Sequence, residues 1–383
     1  MQSALRSFPS VLVTGPRQSG KTTFLRAELG ATHRYVSLDD PITRAGAAAD
    51  PNGFLDSLGD VPAIIDEIQG VPELFSYLKT RIDAERQRAG RWVLTGSAHF
   101  ALMRGVTESL AGRIALLDLP PFSHREMESV PRDLPSVILC GGYPEPALHP
   151  ERLDLWSRSY LQTYVERDVR SLHGLTNLRT FEAFLAVCAA RHGQLLNMAD
   201  VARDVGISQP TVRAWSGLLE ASYLATLVPP YFENFGKRVT RAPKLFFLDS
   251  ALVCALTPLR DGQVALAGPS GGSLFEGWVL SEMVKAFAAL GRRPEIAMWR
   301  SHDGLEVDFV VPIGGRLLPI EVKLTASPSP KHVEPLRRFS NLVGAQRAMP
   351  GLLVCRVASR TVMPFGCEAL PWHEFPQVFE SLI

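Results

Sequence analysis

The chain has 383 residues, of which 46% are hydrophobic and 21% charged, a balance that excludes a disordered chain and suits two or three domains. Lys and Arg number 40 against 39 Asp and Glu, so global charge points to neither a nucleic-acid nor a membrane partner, and any basic footprint must be local. The 5 cysteines (Cys140, Cys188, Cys254, Cys355 and Cys367) are scattered without a CxxC pair, which excludes a zinc or disulfide framework and reads as reduced thiols in a cytoplasmic protein.

From the N-terminus, no leader of the basic-then-apolar kind is expected, and no run approaches the length of a membrane span. Val11 to Thr14 is a short apolar run suited to a buried parallel strand. Gly15-Pro16-Arg17-Gln18-Ser19-Gly20-Lys21-Thr22 follows, a full G-x-x-x-x-G-K-T, and Thr23 to Leu29 continues as a helix that stops at Gly30. Strand, glycine loop and helix in that order form a phosphate cradle, with Thr23 at the helix start. Lys21 is expected on the β- and γ-phosphates of ATP and Thr22 on Mg²⁺. Ala63-Ile64-Ile65-Asp66-Glu67 is an apolar strand ending in two acids; Asp66 is expected to hold the metal and Glu67 to polarise the attacking water. A further strand, Arg91 to Thr95, ends at Gly96-Ser97; Thr95 and Ser97 are candidate γ-phosphate sensors, a helix cap being the alternative for Ser97.

In the middle of the chain, Leu153, Trp156, Tyr160 and Tyr164 recur at helical spacing between Glu151 and Leu172 and read as a core face. Glu166-Arg167-Asp168 carries no assigned chemistry. Ala199 to Trp215 has helix-turn-helix grammar: one amphipathic helix stops at Gly206, and Ser208 caps a second with Pro210 in its first turn. Strands over Tyr223–Val228 and Leu245–Leu248 enclose a loop with Lys237, Arg238, Arg241 and Lys244, the pattern of a basic wing. DNA contact is expected from Gln209, Thr211 and Arg213 on the second helix and from Lys237, Arg238 and Arg241 on the wing; a protein-interaction spacer is the alternative.

After a Gly/Pro/Ser break at 268–272, a helix begins near Phe275-Glu276. Leu305 to Val311 and Leu318 to Leu324 read as two strands turned by Gly314-Gly315. Alternation sets Glu321 and Lys323 on one face, and Asp308 precedes them at D-x12-E-x-K spacing. Asp308 and Glu321, with Glu276 as a further ligand, are expected to hold Mg²⁺, and Lys323 to orient water for phosphodiester hydrolysis.

Gly15 to Thr22, Tyr35 to Asp40, Ile65-Asp66-Glu67-Ile68-Gln69, Leu94 to Ser97, Ser109 to Arg113 and Pro121 to Glu126 follow an order that resembles bacterial and archaeal AAA-type ATPases carrying a C-terminal DUF4143 domain. Gly141-Gly142-Tyr143-Pro144-Glu145 and Tyr160 to Asp168 extend the resemblance over nearly the whole chain. It implies that Arg113 is an arginine finger or sensor, a surface arginine being the alternative, and that a finger in trans would make the protein a homo-oligomer. Relatives have a helical segment before the first strand; here that strand starts close to Met1 and the segment is expected to be missing. The Asp308, Glu321 and Lys323 set resembles the PD-(D/E)xK restriction-endonuclease-like superfamily.

The expected fold is therefore α/β: a P-loop ATPase domain over 1–130, a helical linker region over 131–180, a winged helix over 181–267 and a nuclease-like domain over 268–383. The expected function is ATP hydrolysis coupled to DNA processing in the cytoplasm, away from membranes. The alternative is a nucleotide-controlled regulatory or partner-binding module with a catalytically silent nuclease fold.

Overall fold

A computed structural model describes residues 1–96, 106–130, 132–165, 178–231 and 242–383. The chain divides into two compact units, one comprising Met1–Pro121 with Ala221–Tyr223, the other Phe122–Glu220 with Leu224–Ile383.

In the first unit the short apolar runs form strands β1 (Ser10–Thr14), β2 (Arg34–Ser37), β3 (Ala63–Asp66), β4 (Trp92–Thr95) and β5 (Ile114–Asp118). They pair in the order β2-β3-β4-β1-β5, every pairing parallel. Every residue of β1, β3 and β4 is buried, as expected for central parallel strands covered on both faces. A short helix, α1 (Gln2–Ser7), precedes β1 where the sequence reading expected no helical segment. The second helix, α2 (Lys21–Leu29), leaves the loop after β1. Because the strands are parallel, β1, β3 and β4 all end on one edge, and the glycine loop, Asp66 and Thr95 share it.

The second unit joins a helical part to a mixed sheet. Helices Leu178–Ala190, Met198–Val205 and Gln209–Ala221 accompany a three-stranded antiparallel sheet of β6 (Gln194–Leu195), β7 (Ala225–Val228) and β8 (Lys244–Phe247), in the order β6-β8-β7. Gly206 ends the Met198–Val205 helix in the left-handed region (φ 76°), where a side chain would be strained. Ser208 Oγ accepts the Thr211 N–H and starts the next helix. Strand β8 starts one residue earlier than the sequence predicts, which takes Lys244 out of the expected wing loop and into the sheet. Trp156, Tyr160 and Tyr164 are buried, as their spacing predicts, while Glu166-Arg167-Asp168 lies outside the described residues.

Strands β9 (Ala297–Arg300), β10 (Glu306–Ile313), β11 (Arg316–Val322), β12 (Leu352–Cys355), β13 (Thr361–Val362) and β14 (Glu368–Pro371) form the six-stranded sheet, in the order β13-β14-β12-β11-β10-β9. Gly314 and Gly315 turn β10 into β11, both with positive φ (56° and 80°), which a two-residue hairpin of this hand requires. Pairing of β11 with β12 is parallel and uses helix Glu334–Val343 as its crossover. The 19-residue helix Gly271–Ala289 is buried along most of its length. One apolar core runs from Phe181 and Phe246 through Phe275 to Phe309 and Ile320, and segment 268–272 lies inside this unit. Among the described residues no helix is long and apolar enough to cross a membrane.

Candidate functional site

The first constellation lies at the carboxyl edge of the parallel sheet. Gly15 (φ 146°) and Gly20 (φ 91°) give the loop its tight path, and a Cβ on Gly15 would stand 2.3 Å from the Leu119 carbonyl oxygen. Lys21 is buried and its Nζ donates to the carbonyl oxygens of Gly15 (3.1 Å) and Pro16 (2.7 Å). Thr22 Oγ1 donates to Asp66 Oδ2 at 2.8 Å, so the last residue of the loop motif and the last residue of β3 meet. The Tyr35 hydroxyl donates to the same oxygen at 2.7 Å, and burial, then the Asp66 carboxylate, push the phenol up to about 12. Nothing in the sequence around Tyr35 assigns it this contact; its place in the order of motifs is the one signal for it.

Glu67 follows Asp66 with φ 55° and ψ 45°, a left-handed conformation that costs a non-glycine residue about 1 kcal/mol or more. Its carboxylate accepts from the Gln69 amide. Burial raises the Glu67 carboxyl above its ordinary value; the Gln69 bond opposes this and neighbouring Asp66 adds to it. Among the described residues, the hydroxyls of Thr14, Ser19 and Thr95 are buried at this edge without hydrogen-bond partners. Hard oxygen donors and unpaired hydroxyls beside a buried ammonium fit a Mg²⁺–phosphate group. Ser97 lies outside the described residues.

Arg113 is not at this edge. It immediately precedes β5 at the opposite end of the sheet, about 13 Å away along a five-residue strand. Its guanidinium grips Asp83 with two bonds, Nε to Oδ1 (2.6 Å) and Nη2 to Oδ2 (2.9 Å).

The second constellation lies within the other unit. Asp308 and Glu321 come together as the hairpin predicts: Asp308 Oδ2 accepts the Val322 N–H (2.9 Å) and lies 3.5 Å from Lys323 Nζ, which is 2.5 Å from Glu321 Oε1. The pairing of β10 with β9 shifts register between Val307 and Val310, an irregularity of the ladder that spans Asp308 and Phe309. Glu276 enters from the long helix. Two further residues belong to this cluster. Glu306 precedes Asp308 by two on β10, the same-face spacing that could have revealed it. Lys244, expected on a DNA-facing loop, is buried here: its Nζ contacts Glu276 Oε1 (2.7 Å) and Glu306 Oε1, with Asp308 Oδ1 at 3.7 Å.

Burial opposes charge on Lys244, yet Glu276, Asp308 and Glu306 together outweigh it and raise the ammonium above its ordinary value. Burial pushes the Glu276 carboxyl up to about 8, with Asp308 adding to the rise, and lifts Glu321 well above its usual range. One oxygen of each of Glu276, Glu306 and Asp308 lies within 4.8 Å of the others, a spacing suited to a cation. The donor types suit Mg²⁺, but an ammonium stands among them, so the cluster does not fit the ion as arranged and no hydrolytic step is derived from it.

Gln209 and Arg213 are exposed on the Gln209–Ala221 helix, whereas Thr211 is half-buried with its hydroxyl 2.8 Å from Ser208 Oγ. Asp200 and Asp204 are paired with Arg203 and Arg191, which moderates the negative charge of the preceding helix. Lys237, Arg238 and Arg241 lie outside the described residues. The Gly141-Gly142 pair has a packing explanation. Gly141 adopts φ 62° and ψ −154°, a Cβ there would stand 2.0 Å from Asp249 Oδ1, and Asp249 Oδ2 accepts the Gly142 N–H at 2.8 Å.

Residues 7–128 match the family described as AAA domain, residues 131–263 a domain of unknown function (DUF8612), and residues 271–375 a domain of unknown function (DUF4143). Uncharacterized protein Rv2008c of Mycobacterium tuberculosis and uncharacterized protein Mb2031c of Mycobacterium bovis are each 33% identical over 332 residues, covering 86% of this chain and 73% of theirs. Among solved structures, the Thermotoga maritima RuvB Holliday junction branch migration motor aligns over 60% of this chain and 87% of its own, at 18% identity and a TM-score of 0.31. Protein VC1899 from Vibrio cholerae aligns over 97% of both chains, at 11% identity and a TM-score of 0.23.

Proposed function

The chain belongs to the family of these mycobacterial proteins, and on that premise we propose that it is an ATP-hydrolysing AAA-type protein whose hydrolysis controls a DNA-directed C-terminal half. The observation that carries the ATPase reading is the meeting of Thr22, Asp66 and Glu67 beside the buried Lys21 at one sheet edge. Lys21 exchanges the carbonyls of Gly15 and Pro16 for β- and γ-phosphate oxygens of ATP. Backbone N–H groups of Gly15, Arg17, Gln18, Ser19, Gly20, Lys21, Thr22 and Thr23 would receive the phosphates with the positive end of α2, while Pro16, which has no N–H, shapes the loop. Thr22 and Asp66 would hold Mg²⁺, which when bound neutralises phosphate charge. Glu67 orients the attacking water and takes its proton, a task that its raised carboxyl favours, while Gln69 holds the carboxylate in place. Ser97 would sense the γ-phosphate, and Arg113 of a second copy would complete the site in a cytoplasmic homo-oligomer.

For the C-terminal half we read 181–267 as a winged helix, supported by three helices and an antiparallel three-stranded sheet whose strand β6 lies between the first two helices and whose strands β7 and β8 follow the third. Gln209, Thr211 and Arg213 would face DNA, with Lys237, Arg238 and Arg241 on phosphates. We read 268–383 as restriction-endonuclease-like, supported by the mixed sheet and the Asp308, Glu321 and Lys323 cluster. The buried Lys244 favours the second reading for this part, a fold that recognises DNA or a partner without cutting. Turnover of Mg²⁺-ATP with and without duplex DNA, beside a Lys21→Ala chain, tests the proposal. We expect turnover that DNA alters and that Lys21→Ala reduces to background. Equal turnover by Lys21→Ala would remove the site assignment, and indifference to DNA would remove the coupling.

A further inference from the structure

We propose that Lys244 is a built-in counter-ion that keeps divalent cations out of the C-terminal carboxylate cluster. Its ammonium stands at 2.7 Å from Glu276, in contact with Glu306, and at 3.7 Å from Asp308, inside the one trio of acids whose oxygens are spaced for a cation among the described residues. A divalent ion bound by these oxygens at about 2.0–2.6 Å would need the volume the ammonium fills. The two cations repel at such a distance, so they exclude one another.

The lysine is also firmly held. Lys244 opens β8, the central strand of its sheet, and its backbone is in register with Leu195 of β6 and Val228 of β7. A cation tethered to a packed sheet is always at the site, whereas a free ion must be recruited from solution. Lys323 engages the remaining acids, Glu321 and the second oxygen of Asp308. Glu321 Oε2 is the one oxygen of the cluster that is buried without a hydrogen-bond partner among the described residues. A single oxygen is too few donors for an ion that takes six.

The inference concerns metal occupancy and stands whether or not the chain hydrolyses ATP or binds DNA. Its test is Mn²⁺ binding to the nucleotide-free full chain, followed by electron paramagnetic resonance in an Asp66→Asn background that removes the other carboxylate site. The background chain should bind no Mn²⁺ at millimolar concentration. Adding Lys244→Met should create one site, tighter by about 100-fold or more, two tenfold steps in affinity. A further Asp308→Asn should abolish it. Should Lys244→Met fail to fold with its acids uncompensated, Lys244→Gln, which keeps a hydrogen-bond donor beside them without the charge and leaves all three acids in place, is read the same way. Asp308-dependent binding in the background chain would overturn the proposal, as would a folded Lys244→Met chain that binds no Mn²⁺.

Discussion

Glu67 combines a strained backbone, partial burial and a hydrogen bond from Gln69, and each of these has a reason only if its carboxylate must point in one direction. Asp66 needs no strain, because Thr22 and Tyr35 already hold it. Tyr35→Phe should therefore loosen Asp66 and raise the ATP concentration for half-maximal turnover, with a modest effect, on the order of tenfold, for the loss of one charge-assisted hydrogen bond. An unchanged concentration dependence would separate Tyr35 from the site. His192 offers a test of burial instead. Its Nδ1 accepts the Phe247 N–H, and burial lowers the imidazole from 6.5 to about 4. The unfolded chain then binds a proton that the folded chain refuses, so stability is full above about 6.5 and is lost as pH falls toward 4. Between pH 7 and pH 5 the loss should be about 2 kcal/mol. Urea unfolding of the chain beside His192→Gln checks this: the difference between the two should change by that amount across the interval. Most of the first site was legible at this scale, since loop motif and paired acids are local in sequence. Lys244 was not, because its acids come from a helix and a strand that only the fold brings to it.

At the scale of elements, the glycine turn at Gly314-Gly315 and the left-handed cap at Gly206 could be read because each depends on two or three neighbouring residues. The Gly141-Gly142 pair could be seen but not explained, as its partner Asp249 is 107 residues away. Gly141→Ala should cost about 3 kcal/mol or more, combining a backbone region open only to glycine with a collision against a buried carboxylate. Its urea midpoint should fall accordingly, and an unaltered midpoint would mean that the Asp249 contact carries little. The Gln209–Ala221 helix makes a different prediction. With Arg213 on the recognition helix, Arg213→Ala should weaken duplex binding by about tenfold, measured by fluorescence anisotropy. An affinity identical to that of the parent would take Arg213 out of the DNA reading. The start of β8 shows the limit of reading elements from sequence: a one-residue shift moved Lys244 from an expected solvent-facing loop to a buried cluster.

At the scale of the whole molecule, the parallel order β2-β3-β4-β1-β5 sends the P-loop and Arg113 to opposite ends of one sheet. Any action of Arg113 on ATP must then come from another copy. Turnover per chain should rise with protein concentration, and Arg113→Ala should lower it by about 10³-fold if the residue is a finger. A loss of stability alone would leave Arg113 as the partner of Asp83. The two-unit division itself was not legible, since the sequence offers the break at 268–272 and the fold carries one core across it. In the proposed reaction Glu67 activates the attacking water at a working ATP site. Single-turnover hydrolysis of bound ATP by the Glu67→Gln chain tests it most directly. We predict unimpaired binding of ATP with Mg²⁺ and hydrolysis slowed by about 100-fold or more, whereas hydrolysis at the parent rate would remove Glu67 from the reaction.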